Sequence, residues 1–287
     1  MVDEQSYPAA PAAAFADLPW QMLPLTRQLV DLWKGLVWPG YHLVIDAAPA
    51  PDDQGPALAR EIRERTIKLF GLALVRDFPE PKARKKEAER LTDGFLAGMG
   101  STRDLLATDL SAAIRGDPAT ERADEIMLCY PSLVALSSQR LAHSLYQANV
   151  PLIPRIMTEL AHAATGIDIH PGAKIGSHCF IDHGTGVVIG QTAIVGNRVL
   201  IYQGVTLGSR SFPKDESGKV IKGAPRHPII EDDVVIYAGA TVLGRITIGR
   251  GSAIGGNVWV TRDVPPQSRV TQSQYRQESF NGYGEGI

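Results

Sequence analysis

Four of the seven histidines, His170, His178, His183 and His227, lie in or beside a stretch of short aliphatic repeats, and two of them sit where that repeat breaks. A neutral imidazole accepts a proton near pH 7, so a histidine held at such a break is a candidate general base. His183 stands in Asp182-His183-Gly184-Thr185-Gly186, and His227 in Arg226-His227-Pro228. A repeat that abandons its period must tolerate local strain, which is expected where function overrides regularity. His42, His143 and His162 lie in helical or linker patterns and read as packing or surface residues.

The element that must position these groups is periodic. From Ile230 to Pro265 aliphatic residues recur every six positions, at Ile230, Ile236, Val242, Ile248, Ile254 and Val260. Neither the 3.6 period of a helix nor the two of a strand produces that pattern, which indicates a stacked repeat. Small or β-branched residues follow four positions later (Val234, Ala240, Ser252, Val258, Val264), as the corners of a coil require. The spacing predicts a left-handed parallel β-helix in which three hexapeptides make one triangular coil, and each coil buries its inner face against its neighbours. Upstream the period runs Ile169, Ile175, Ile181, Val187, then slips by two residues to Ile189, Val195, Ile201 and Leu207. A bulge is therefore expected at residues 183–188. Between Gly208 and Pro228 a polar run rich in Gly, Pro and Lys predicts a long loop thrown out of one coil, and loops of that length are usually functional or disordered.

The first 165 residues have helical spacing instead. Leu25, Leu29, Leu32, Trp33 and Leu36 mark one helix, which stops before Trp38-Pro39-Gly40, and a second is expected from Ala57 to Phe78. The basic run from Pro81 to Arg90 mixes charges and suits a solvated helix start. Ser101-Thr102-Arg103-Asp104 resembles a capping box opening a helix through Ile114. Two more helices are expected over Ser132–Asn149 and Leu152–Ala164. The fold class is α+β, with a helical domain at residues 1–165, a β-helix domain at 166–266 and a flexible C-terminal tail at 267–287.

Composition narrows the setting. With a formal net charge of −2, no basic stretch asks for nucleic acid or a membrane surface. No apolar run approaches the length of a membrane span, and MVDEQSYP lacks the pattern of a secretion signal. Two cysteines, Cys129 and Cys179, are too few for a disulfide framework, so a reducing cytoplasm is expected.

Gly116-Asp117-Pro118-Ala119, Asp168-Ile169-His170-Pro171, Ile181-Asp182-His183-Gly184-Thr185-Gly186 and Arg226-His227-Pro228, in this order, resemble serine O-acetyltransferase. The similarity runs from about Thr108 to Pro266 and includes the end, Gly284-Glu285-Gly286-Ile287. The resemblance implies direct transfer of acetyl from acetyl-CoA to the hydroxyl of L-serine, giving O-acetylserine for cysteine biosynthesis. No acyl-enzyme, metal or permanently bound cofactor is implied. It assigns the base to His183 and its orienting carboxylate to Asp168. Asp168 lies fifteen residues upstream, close to one coil of eighteen, so stacking can bring the pair together. Asp117 and Asp182 match the ammonium contacts, and Arg226 and His227 those on the carboxylate side, where a planar guanidinium suits bidentate binding. Asp117 is expected to come from a neighbouring subunit. Acetyl-CoA is expected along the groove between two β-helices of a homotrimer, against the backbone of Gly208, Ser209, Ala238, Gly239 and Gly256. Trimers can pair into hexamers, and Ile287 is expected to enter the active site of cysteine synthase. The chain departs from the family pattern at Gln191, where Glu is usual, in the length of the 208–226 loop, and in lacking the usual segment after Pro266.

Three other readings compete. A β-helical carbonic anhydrase would bind zinc through His170, His178 and His183, leaving the Asp-His-Gly and Arg-His-Pro motifs without a role. An acetyltransferase for another hydroxyl acceptor, homoserine, a sugar or an antibiotic, is the nearest rival, and a sugar or an antibiotic would not need Asp117 plus Arg226 to grip an amino acid. A scaffold that only binds a partner would not need His183 and Asp168.

Overall fold

A computed structural model describes residues 20–38, 55–212, 215–216 and 218–272. His42, the segment before Trp20 and the tail from residue 273 to Ile287 lie outside the described residues.

Seven helices among the described residues precede fourteen strands: α1 (Met22–Val37), α2 (Gly55–Ala73), α3 (Pro81–Ala97), α4 (Met99–Gly116), α5 (Ala123–Cys129), α6 (Pro131–Gln147) and α7 (Ile153–Thr165). The chain forms two compact units, Met1–Asp104 with Leu136–Ala161, and Leu105–Ala135 with His162–Ile287. Compactness thus groups the end of α4 and all of α5 with the strands, although helix gives way to strand only after residue 165.

In the first unit the core of α1 is Leu29, Val30, Trp33 and Val37, while Leu25, Leu32 and Leu36 flank it. Trp33 meets Phe95 edge-on at 4.9 Å, and its indole N–H donates to Thr66 Oγ1 at 3.1 Å. Helix α2 stops at Ala73, short of the expected Phe78, and the chain turns at residues 74–77 before reaching Pro79. Glu80 caps α3 by accepting from the N–H groups of Lys82 and Ala83, so the basic run is a solvated helix start. Residues 101–104 do not open a helix: α4 already begins at Met99, and Thr102 Oγ1 donates back to Gly98 O at 3.3 Å. The short α5 carries little periodicity and was not legible in the sequence.

The second unit is built on a parallel β-solenoid of three faces. Face A is β1 (Asp168–Ile169), β4 (Val188–Ile189), β7 (Thr206–Gly208), β10 (Thr241–Leu243) and β13 (Trp259–Val260). Face B is β2 (Lys174–Ile175), β5 (Ile194–Val195), β8 (Ile229–Ile230) and β11 (Thr247–Ile248). Face C is β3 (Phe180–Asp182), β6 (Leu200–Tyr202), β9 (Val235–Ile236), β12 (Ala253–Ile254) and β14 (Arg269–Val270). The hexad residues point inward: Ile201, Leu207, Ile230, Ile236, Val242, Ile248 and Ile254 are all fully buried, and Val234, Ala240 and Ser252 fill the corners. Each such aliphatic side chain contributes roughly 1.5–3 kcal/mol of burial.

Register shows the slip directly. Asp168 pairs with Val188, twenty positions on, whereas Val188 pairs with Thr206, eighteen on. The two extra residues lie between β3 and β4, at the expected bulge. Thr206 pairs with Thr241, so the long loop leaves face A after Gly208 and returns at β8 with no break in stacking. The solenoid also runs past Pro266: β14 pairs with β12 through Ala253↔Arg269 and Ile254↔Val270, so residues 269–270 belong to a coil and not to a loose tail.

Candidate active site

The functional candidates gather at the two corners that flank face A. Between faces C and A the chain makes the bulge at His183, which adopts a left-handed conformation (φ 57°), followed by Gly184 at φ 81°. A Cβ at Gly184 would lie 2.4 Å from Ile167 Cδ1, so the bulge requires glycine there. Closing the turn, Gly184 N–H donates to Asp182 O at 2.6 Å, and Val187 N–H to Gly184 O at 2.9 Å. The imidazole is thereby left exposed at the corner, with Nε2 3.9 Å from Asp182 Oδ1.

Asp117 joins this corner from the same chain, which corrects the expectation that a neighbouring subunit must supply it. It follows α4 directly, and α4 is tied to the solenoid where Thr108 Oγ1 accepts from His178 N–H at 2.9 Å. Phe180 packs with Ala113 and Ile126 into one buried cluster bordered by Tyr130. The Asp117 carboxylate accepts from Tyr130 Oη at 2.5 Å and from Ala119 N–H at 2.8 Å. The Tyr130 hydrogen bond, then that of Ala119, and least the nearby His183 hold Asp117 below the usual carboxylate range. Tyr130 itself is pushed up to about 12, first by the bond to Asp117 and then by burial. Sequence reasoning missed Tyr130 because nothing periodic marks it.

Asp168 lies at the same corner one coil below, where Gly186 N–H donates to Gly166 O at 2.8 Å and Asp168 N–H to Val187 O at 2.9 Å. Among the described residues no hydrogen bond or ion pair joins Asp168 to His183. A carboxylate oxygen of Asp168 instead lies within 4.8 Å of a ring nitrogen of His162, at the end of α7. His162 is therefore placed beside the site, contrary to its reading as a packing or surface residue. Above the bulge Asp182 pairs with Tyr202, whose ring stacks on Tyr237 at 5.4 Å.

The second corner lies between faces A and B and is organised by Thr192. Its Oγ1 accepts from Arg226 N–H at 2.9 Å and from His227 N–H at 3.1 Å. His227 Nδ1 accepts from Thr192 N–H at 3.1 Å, so the neutral ring carries its proton on Nε2. Only 6% of His227 is exposed, and burial, then the charges of Arg226 and Arg245, lower its pKa to about 4. The ring lies against Gly190, where a Cβ would meet His227 Cδ2 at 2.0 Å. Arg226 Nη2 donates to Gln191 Oε1 at 3.0 Å, while its buried Nε has no partner. Gln191 thus belongs with Arg226, at a different corner of the chain from the His183 bulge.

The expected coenzyme contacts divide the same way. Ala238, Gly239 and Gly256 stack at the corner of His183, where Asn257 N–H donates to Ala238 O at 2.9 Å. Gly208 and Ser209 leave face A at the corner of His227, and Ser209 Oγ donates to Ser211 O at 2.7 Å. The three histidines of the zinc reading are separated: His170 and His183 lie at opposite ends of face A, and His178 lies between faces B and C.

Residues 227–262 match the family model for bacterial transferase hexapeptide (six repeats). The chain is 56% identical over 204 residues to "Serine acetyltransferase, plasmid" from Synechococcus elongatus, covering 71% of this chain and 64% of that one. It is 50% identical over 162 residues to the serine acetyltransferase of Mycobacterium tuberculosis, covering 56% and 67% respectively. The chain therefore spans just under two thirds of the length of the Synechococcus relative. Among solved structures, Entamoeba histolytica serine acetyltransferase isoform 3 in complex with cysteine superimposes with a TM-score of 0.71 at 32% identity, covering 92% of this chain and 95% of that one. The soybean serine acetyltransferase complexed with serine gives 0.55 at 29% identity, covering 91% and 96%. With the hexapeptide solenoid, the bulged His183 corner and a solved relative matched at 32% identity over 95% of its length, the chain belongs to the serine acetyltransferase family.

Proposed function

We propose that this protein transfers acetyl from acetyl-CoA to the hydroxyl of L-serine, giving O-acetylserine for cysteine biosynthesis in the cytoplasm. The observation that carries this reading is the division of groups between the two corners flanking face A. One holds a base with carboxylates, the other an arginine with a neutral, hydrogen-donating imidazole. L-Serine presents the complementary pair, an ammonium and a carboxylate, on the carbon next to the one that bears its hydroxyl.

In this reading His183 removes the hydroxyl proton as the serine oxygen bonds to the thioester carbon. The C–S bond then breaks, and the proton passes from the imidazole to the departing thiolate. No acyl-enzyme forms. Asp168 orients the ring once substrate is bound, since catalytic hydrogen bonds often tighten only in the complex. Asp117 and Asp182 hold the ammonium, and Arg226 the carboxylate. His227 Nε2–H donates to the carboxylate side or to the charge developing on the thioester oxygen.

Because face A separates the corners within one chain, a complete site arises where the His183 corner of one copy meets the Arg226 corner of the next. A closed trimer forms three such sites. Acetyl-CoA lies in the same grooves, against Gly208 and Ser209 on one side and Ala238, Gly239 and Gly256 on the other. Trimers can pair further, and Ile287 docks into cysteine synthase through its branched side chain.

The test is CoA release from acetyl-CoA with L-serine, L-homoserine, L-threonine and simple sugars as acceptors. Release with L-serine well above the others supports the reading. Release only with a sugar would transfer the site to another acceptor class, and none with any hydroxy amino acid would favour a scaffold.

A further inference from the structure

A second cleft opens between the end of α4 and face C, and none of the side chains assigned to the candidate active site lines it. Its volume is about 370 Å³, near the small end of ligand pockets. Phe180, Val199 and Leu200 form an apolar wall, and Arg115, His178 and Arg198 bring three nitrogen-rich side chains to it. Gly116 gives the ring of Phe180 its place, because a Cβ there would lie 2.7 Å from Phe180 Cδ1.

The polar groups are held with donors to spare. Arg198 is fixed by Asp233, Nε to Oδ1 at 2.5 Å and Nη2 to Oδ2 at 2.9 Å, which leaves Nη1 unused by that pair. Asp232 lies 3.7 Å from the same Nη2, so one edge of this guanidinium is already neutralised. His178 is set in a left-handed conformation (φ 58°), with Nδ1 3.1 Å from Ser177 Oγ and its backbone N–H on Thr108. Arg115, in the last turn of α4, has no acidic partner among the described residues. The cleft therefore combines one unneutralised guanidinium, further N–H donors and an apolar wall.

We infer that this cleft binds a small organic carboxylate with a compact apolar body. The planar fork of Arg115 suits two carboxylate oxygens. The volume admits a body about the size of a benzene ring against Phe180 and Leu200. A bare inorganic anion would leave that wall unused, and a neutral analogue would leave Arg115 unpaired.

Calorimetric titration of the full chain with benzoate tests this, with benzamide and inorganic phosphate as comparisons. Saturable benzoate binding in the millimolar range is expected, at least tenfold tighter than either comparison. Arg115→Gln should weaken it by roughly tenfold or more, as for loss of a charged hydrogen bond, and Arg115→Lys should restore part of it. Arg226→Ala should leave it unchanged, since that residue belongs to the other site. The titration reads binding alone, so its outcome is independent of the proposed acetyl transfer. Absence of saturable binding, equal binding of benzamide or phosphate, or loss in Arg226→Ala with retention in Arg115→Gln would each overturn the inference.

Discussion

Tyr130 donates its hydroxyl proton to Asp117 Oδ2 across 2.5 Å, joining α5 to the end of α4 directly beside the His183 bulge. This bond is the largest cause holding Asp117 ionised. Tyr130→Phe should therefore raise the carboxyl pKa and move the acid limb of kcat/KM for L-serine to higher pH, with the KM for acetyl-CoA little changed. A several-fold rise in serine KM is expected, because the group is only partly buried and solvent screens it. Steady-state kinetics across pH would show it.

At the other corner, the depressed pKa of His227 has a consequence for stability. The unfolded histidine titrates near 6.5 and the folded one near 4, so between those values the unfolded chain binds more protons. Stability from this group is full above pH 6.5 and falls as pH drops towards 4. His227→Asn keeps an acceptor for Thr192 and removes the titration, so its melting temperature should fall less over that interval. Thermal melts of both proteins check this.

Gly184→Ala and Gly190→Ala should separate fold from function. The first places a side chain at φ 81° and against Ile167, and should cost roughly 1–3 kcal/mol with a distorted bulge. The second drives a Cβ into the His227 ring, and should raise the serine KM far more than it lowers the melting temperature. Chemical denaturation and serine kinetics on each variant decide between these outcomes.

The contrast between these glycines bears on what the sequence revealed. The period of six exposes the inward column, Ile230 to Val260, because each coil repeats one physical requirement. The slip after Ile181 was equally visible, since two extra residues displace every later hexad. What stayed hidden depends on side chains meeting across distant segments. Nothing about Thr192 marks it as the hydroxyl that orders Arg226 and His227, and Tyr130 follows a helix too short to show a pattern. Asp117 and Gln191 stand out in the sequence, but only the fold puts Asp117 beside His183 and Gln191 beside Arg226. The capping-box reading at Ser101 failed because α4 had already begun at Met99.

Sharing of sites between copies predicts complementation. Arg226→Ala and His183→Ala homomers should each be nearly inactive with L-serine. An equal mixture of the two variants, assembled at random into trimers, should regain up to about a quarter of normal activity, since one corner pairing in four carries both intact halves. Mixed subunits with no recovered activity would mean that the two corners serve one chain.

The role of His183 as the base for acetyl transfer to L-serine is tested by serine-dependent CoA release from acetyl-CoA with His183→Ala. Turnover should be lower by roughly 10²- to 10⁴-fold, with the melting temperature and the acetyl-CoA KM close to those of the parent. Near-normal turnover with L-serine in this variant would contradict it.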